Sequence, residues 1–385
     1  MVFKRFCVGI IGLWLTGCSV LPIDQVKVIK PFSLPINYEL IDHQTVDVID
    51  EEELFALSDG QQQAFLNQYQ HYVSHGYAPH KAIFQILKSD LTDFTYYGET
   101  NTAQQTASLA RGNCMSLAVL TTAYAKLANV DFDYRKVNTL PIFEKQGNVI
   151  LSSSHVQTYL YKPNFKPEID TYYLRPPGIV VDYFPSTTNM PGRLFSKHQF
   201  IAMYYRNIAA DYLIDNELEA AFAYALASHQ YDQHSPENIN LLAVLHRRLG
   251  DVEGAEAIYQ AALAHDLNNV AMLSNYATLL KSQQRYQEAE ILDNKIAGLE
   301  DLNPYQWLEQ AYVEHRQGRV AAAKRYYYKV IEQAPYVHQA YLGLYQIYAK
   351  QHQLNKAREM LKKALTWSYE LDDRKLYKAK LYSLW

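Results

Sequence analysis

Cys114, His155 and Asp182 have the residue types and the order along the chain that nucleophilic thiol chemistry requires. The segment Arg111-Gly112-Asn113-Cys114-Met115-Ser116-Leu117 runs into Leu117, Leu120, Tyr124 and Leu127 at helical spacing, which predicts a helix to about Asn129. Asn113 is a good N-cap, so the thiol falls in the first turn, beside the positive end of the helix dipole and unsatisfied amide groups. Both favour thiolate, the nucleophilic form. A small buried packing residue would also suit that position, and free cysteines are often inert. Position alone leaves both readings open.

Two later segments favour chemistry. Ser154-His155-Val156-Gln157-Thr158-Tyr159-Leu160-Tyr161 alternates as a strand with a histidine near its start. Gly178-Ile179-Val180-Val181-Asp182-Tyr183-Phe184 reads as a buried strand interrupted by one carboxylate, which is costly to bury unless paired. A histidine on the neighbouring strand would pair it. His155 would then take the proton from Cys114, and Asp182 would fix the imidazole tautomer. His75, His80 and His198 are rivals to His155, and Asp170 to Asp182, without the strand context. Gln104 and Gln105 lie upstream, as an oxyanion donor does in related cysteine hydrolases, but glutamine is commonplace in such a polar stretch and neither is taken as the donor. No metal-ligand spacing, phosphate-binding glycine loop or dinucleotide fingerprint occurs, so no cofactor is implied.

The Arg-Gly-Asn-Cys-Met-Ser-Leu run, its Ala-rich helix and the following His and Asp strands resemble the transglutaminase-like cysteine superfamily. More narrowly, they are similar to bacterial members that join this domain to tetratricopeptide repeats. The resemblance covers about residues 50 to 195. It implies a papain-like α+β fold and acyl chemistry on amides through a thioester, by hydrolysis or by transfer to an amine.

Ahead of these residues, helical stretches are expected from Glu51 to His75 and from Pro79 to Leu91. Behind them the chain is periodic. Ala221, Ala255, Ala289, Ala323 and Ala357 stand 34 residues apart without a slip, and Ala209, Ala243, Ala277 and Ala311 lie 12 residues before members of that series. Thirty-four is the tetratricopeptide period. Small residues belong where paired helices cross closely, with Tyr259 and Tyr327 filling the adjoining space. Asn216, Gly250, Gln284, Gly318 and His352 fall at the turns between paired helices. Five repeats over 200–371 should stack into a right-handed solenoid, closed by a capping helix over 372–385. Its concave face would carry Asn240, Arg247, Ser274, Lys281, Tyr305 and Tyr312, a candidate peptide groove or an ordinary surface.

The N-terminus reads as a processing signal. Lys4 and Arg5 precede ten apolar residues, Phe6 to Leu15, too few to span a bilayer. Leu15-Thr16-Gly17-Cys18 looks like a lipobox, so residues 1–17 would be removed and Cys18 acylated. Ser19 would suit outer-membrane delivery. Residues 18–50, with Pro22, Pro31 and Pro35, read as an extended lipidated tether ahead of the thiol domain at 51–199. Of three cysteines, Cys7 is lost and Cys18 lipidated, which leaves Cys114 alone in the mature chain.

Composition sets the outer limits. The 385 residues suit two domains; 49% are hydrophobic and 20% charged, so disorder is excluded. A net charge of −4 gives no electrostatic reason for a nucleic-acid partner. The expectation is an outer-membrane-anchored periplasmic lipoprotein, with a Cys-His-Asp domain acting on amides and repeats recruiting substrate or partner. The alternative is an envelope scaffold whose thiol domain no longer reacts.

Overall fold

The computed structural model describes residues 32–41, 46–90, 94–96, 99–136, 142–146, 149–153, 156–166, 175–183, 194–297, 304–368 and 371–382. The chain divides into two compact units, Met1–Ser33 and Leu34–Trp385. Every described helix and strand belongs to the second unit. Cys18 and His155 lie outside the described residues, as does Asp170.

The first half is a small α+β body. Helices α1 (Glu51–Phe55), α2 (Asp59–Ser74) and α3 (Pro79–Asp90) are followed by β1 (Thr95–Tyr96), α4 (Ala103–Leu109), β2 (Arg111–Gly112) and α5 (Cys114–Leu127). The helical stretch from Glu51 is broken after Phe55 because Ser58 and Gln61 form a reciprocal capping box that starts α2 afresh. Thr102 and Gln105 do the same for α4, so Gln105 serves as a cap partner. Twelve of the 14 residues of α5 are buried, and this helix is the axis of the domain. Phe65 of α2 stacks on Tyr124 with ring centroids 4.3 Å apart.

Strands β3 (Phe132–Lys136), β4 (Ile142–Gln146), β5 (Val149–Ser153), β6 (Val156–Tyr161), β7 (Gly178–Asp182) and β8 (Leu194–Phe195) follow. Four of them form an antiparallel sheet in the order β7-β6-β3-β8, while β4 and β5 pair with each other as a separate two-stranded sheet. The register sets Tyr134 opposite Thr158 and Thr158 opposite Val181. Those three residues share one face of the pleat. The Thr122 hydroxyl meets the Tyr134 hydroxyl at 2.8 Å, so this is the face that packs on α5.

The second half is helical throughout. Helical hairpins α6/α7 (Lys197–Ile214, Leu218–Tyr231), α8/α9 (Pro236–Arg248, Val252–Ala264), α10/α11 (Val270–Ser282, Tyr286–Ala297), α12/α13 (Pro304–Arg316, Val320–Gln333) and α14/α15 (His338–Lys350, Leu354–Trp367) repeat in phase, followed by α16 (Leu371–Tyr382). Ala221, Ala255, Ala289, Ala323 and Ala357 are all completely buried, as close helix crossing demands. The five turn residues Asn216, Gly250, Gln284, Gly318 and His352 all adopt positive φ, between 56° and 91°. Each hairpin therefore closes through one left-handed residue, a conformation that costs any residue but glycine.

The first helices of neighbouring repeats touch each other, α6 with α8, α8 with α10 and α12 with α14, which places them along one inner face. Among the described residues, α11 and α12 pack less closely than the helices at any other joint between repeats. From Tyr305 onward the fourth and fifth repeats and Tyr377 of α16 share one continuous buried cluster.

The two halves are fused. The Tyr205 hydroxyl of α6 donates to the Ile49 carbonyl at 2.8 Å, and the Ile49 N–H donates to the Tyr224 hydroxyl of α7 at 3.4 Å. Lys197 pairs with Glu51, and Phe200 lies 6.3 Å from Phe55, centroid to centroid. Among the described residues no helix is long and apolar enough to cross a membrane.

Candidate functional site

The start of α5 is a tightly bonded corner. The Asn113 side chain accepts from the Ser116 N–H at 3.0 Å and donates to the Thr100 hydroxyl at 2.9 Å. This is the cap expected from the sequence. Ser116, fully buried, donates to the Glu99 carbonyl at 3.1 Å and accepts from the Asn101 N–H at 2.9 Å. Gly112 turns the chain into this corner with φ of 150°, and a Cβ there would stand 2.6 Å from that of Ser116. Cys114 is consequently held as the first residue of α5, with helix N–H groups unsatisfied by backbone around it. It is 7% exposed and in no disulfide.

Tyr183, just past β7, reaches the same region. Its hydroxyl donates to the Thr158 hydroxyl at 2.8 Å. Burial pushes this phenol up; its hydrogen bonding with Thr121 and Thr158 works against that, and the nearby Asp182 and Cys114 add to it. The end of β7 and the start of α5 thus share one end of the domain. Sequence reasoning misses both Ser116 and Tyr183 as residues of this site. The Asn113–Ser116 spacing is the available signal for the first, and nothing short of the strand register points to the second.

Asp182 stands directly opposite Gln157, whose amide donates to its carboxylate at 2.7 Å. By strand alternation Asp182 and Gln157 share the face of the pleat opposite to Tyr134, Thr158 and Val181. That face also carries Tyr161 bonded to Asp133, and Tyr159 lies between the guanidinium groups of Arg135 and Arg175, 5.1 and 3.8 Å from its ring centre. His155 falls outside the described residues. Of the rivals, His80 is buried in α3, with its imidazole pushed down by burial and by Lys81 and Lys162. His198 sits on α6 beside Tyr231.

A cavity of about 460 Å³ adjoins the α5 corner, walled by Glu99, Thr100 and Asn101 on one side and by Tyr204, Asp211 and Tyr224 on the other. Cys114 is not in its lining.

On the repeats, the predicted groove residues divide. The Asn240 carbonyl oxygen accepts from Asn275 of the next repeat at 3.0 Å, and Lys281 pairs with Asp293 at 2.8 Å. Arg247 and Ser274 are partly exposed. Tyr305 is core, 7% exposed, and Tyr312 packs edge-on against Tyr327, its phenol pushed up to about 12 by burial and by Glu309.

No family model matches the chain, and no curated protein matches it. Among solved structures it is similar to PilF of Pseudomonas aeruginosa, at 20% identity over 49% of this chain and 90% of that one, with a TM-score of 0.28. It is also similar to YrrB, described as a TPR protein with an unusual peptide-binding site, at 20% identity over 46% and 92% with a TM-score of 0.24. A third is a tetratricopeptide repeat protein from Parabacteroides merdae ATCC 43184, at 19% identity over 47% and 70% with a TM-score of 0.25. What identifies the repeats in this chain is their own 34-residue period, paired helices and left-handed turns.

Proposed function

We propose that this protein is a lipid-anchored envelope adaptor whose repeat array holds a protein or peptide partner. The observation that carries the reading is the inner face formed by the first helices of the repeats, to which the repeat phase assigns the partly exposed Arg247 and Ser274. Such faces are extended binding surfaces. A photo-cross-linking residue at Ser274 should capture a protein in cells, and the same residue at the exposed Glu290 of α11 should not. Equal yields at both positions, or none at either, would defeat the proposal. Anchoring through Cys18 predicts incorporation of labelled palmitate that is lost in Cys18→Ala.

A second reading is favoured by one feature, the thiol held at a capped helix start. In it Cys114 attacks an amide carbonyl, the amine leaves with a proton from His155, and the thioester passes its acyl group to water or to an amine. Asp182 would orient His155. Iodoacetamide should then alkylate Cys114 rapidly well below the ordinary thiol pKa of about 8.5, and slowly in His155→Ala. Equal, slow reaction in both proteins would leave the adaptor reading alone.

A further inference from the structure

The β4–β5 hairpin belongs neither to the sheet of the thiol domain nor to the repeats. Among the described residues its strands bond to each other and not to the four-stranded sheet. An isolated two-stranded hairpin is marginal in water and needs a surface to lean on. Here β5 lies against α6 and β4 against α12. Both are first helices of their repeats, the first and the fourth, so the hairpin touches the set of helices that forms the inner face at two points.

We propose that the β4–β5 hairpin is a built-in occupant of the repeat groove, and that the groove's external partner is an extended polypeptide that replaces it. This rests on the adaptor reading and names the class of partner. The occupant, Ile-Phe-Glu-Lys-Gln and Val-Ile-Leu-Ser-Ser, is half apolar and half polar, with one charge of each sign. A partner of that character fits the same surface in the same extended form. Being tethered, the hairpin acts at an effective concentration on the order of millimolar, so the intact chain holds the groove shut to weak ligands.

The test uses a fluorescein-labelled peptide of residues 142–153, titrated into the full chain and into a variant with residues 138–153 replaced by a short Gly-Ser linker. The variant should bind the peptide at least about tenfold more tightly than the intact chain. Equal binding to both, or no binding to a variant whose thermal melt remains cooperative, overturns the proposal. Should the variant not fold, photo-cross-linkers at Glu144 and Leu151 of the intact chain decide the matter. They should join residues 304–316 and 197–214 respectively, and cross-links confined to residues 99–182 overturn it. A failed peptide assay beside successful capture at Ser274 removes the occupant and leaves the adaptor reading standing. The reverse pattern removes the cellular partner and leaves the occupant.

Discussion

Phe200, in the first turn of α6, lies flat on Tyr134 of β3, with ring centroids 3.8 Å apart and planes 4° apart. Phe200 is completely buried and Tyr134 nearly so. The first helix of the repeat array is therefore also a wall of the thiol domain.

Phe200→Ala should destabilise both halves together, by about 3–5 kcal/mol, the range for truncating a buried phenylalanine. Urea denaturation followed by helical circular dichroism and by Cys114 accessibility should give coincident transitions shifted to lower urea. Two separate transitions, with the repeats unmoved, would show that the halves are independent.

The left-handed turns predict opposite outcomes at equivalent sites. His352 and Gln284 hold φ of 56° and 63°, whereas Gly250 and Gly318 hold 91° and 76°. His352→Gly should stabilise by about 0.5–1 kcal/mol by relieving strain, and Gly250→Ala should destabilise by about 1 kcal/mol. Thermal melts of the two variants should move in opposite directions.

Stability should fall on acidification. His246 is fully buried, and its Nδ1 lies 2.8 Å from Asp251. Burial pushes its imidazole down, with Asp251 opposing. Burial also pushes His80, His229, His315 and His338 down. The folded protein then binds fewer protons than the unfolded chain once pH drops below the unfolded value of about 6.5. Stability is full above that pH and is lost as pH falls through each depressed folded value, by at most about 1.4 kcal/mol per unit for each group. Urea midpoints at pH 7.5, 6.5 and 5.5 should decline, and His246→Gln should flatten the slope. An unchanged midpoint at pH 5.5 would contradict the neutral, buried state.

Asn113→Ala removes the α5 cap and the bond to Thr100, and should cost about 1–2 kcal/mol. Because Cys114 follows directly, alkylation of the native protein should also change rate, whereas Gln105→Ala, which weakens the α4 cap, should leave that rate alone. Equal alkylation rates in Asn113→Ala and wild type would detach the thiol's behaviour from its cap.

The repeats are legible in the sequence because helix crossing tolerates only small side chains, so geometry imprints alanine at a fixed period, and Ala289 or Ala323 can be placed without coordinates. The cap at Asn113 is legible for a similar local reason. The bond from Gln157 to Asp182 is not, because only the strand register sets these two residues opposite each other. The β4–β5 hairpin leaves a signal, two strand-like runs separated by Gly147-Asn148, but no sequence pattern says that such a hairpin leaves its own sheet for a helical groove. Ser58 and Gln61 spell the break after α1, and Tyr305, counted by phase to the groove, is core because the α11–α12 joint begins a new buried cluster.

The pairing of β8 with β3 bears on how the chain acquires its fold. Phe195 closes the sheet opposite Tyr134, and Lys197 already begins α6. A ribosome or translocon delivering this chain releases β3 long before its partner arrives, so the thiol domain waits with an open sheet edge. The helical hairpins, made of contacts between near neighbours in sequence, assemble as fast as they emerge. The thiol domain is therefore completed only once β8 and the first turn of α6 have emerged, so the opening helix of the repeats is the last piece of the domain before it.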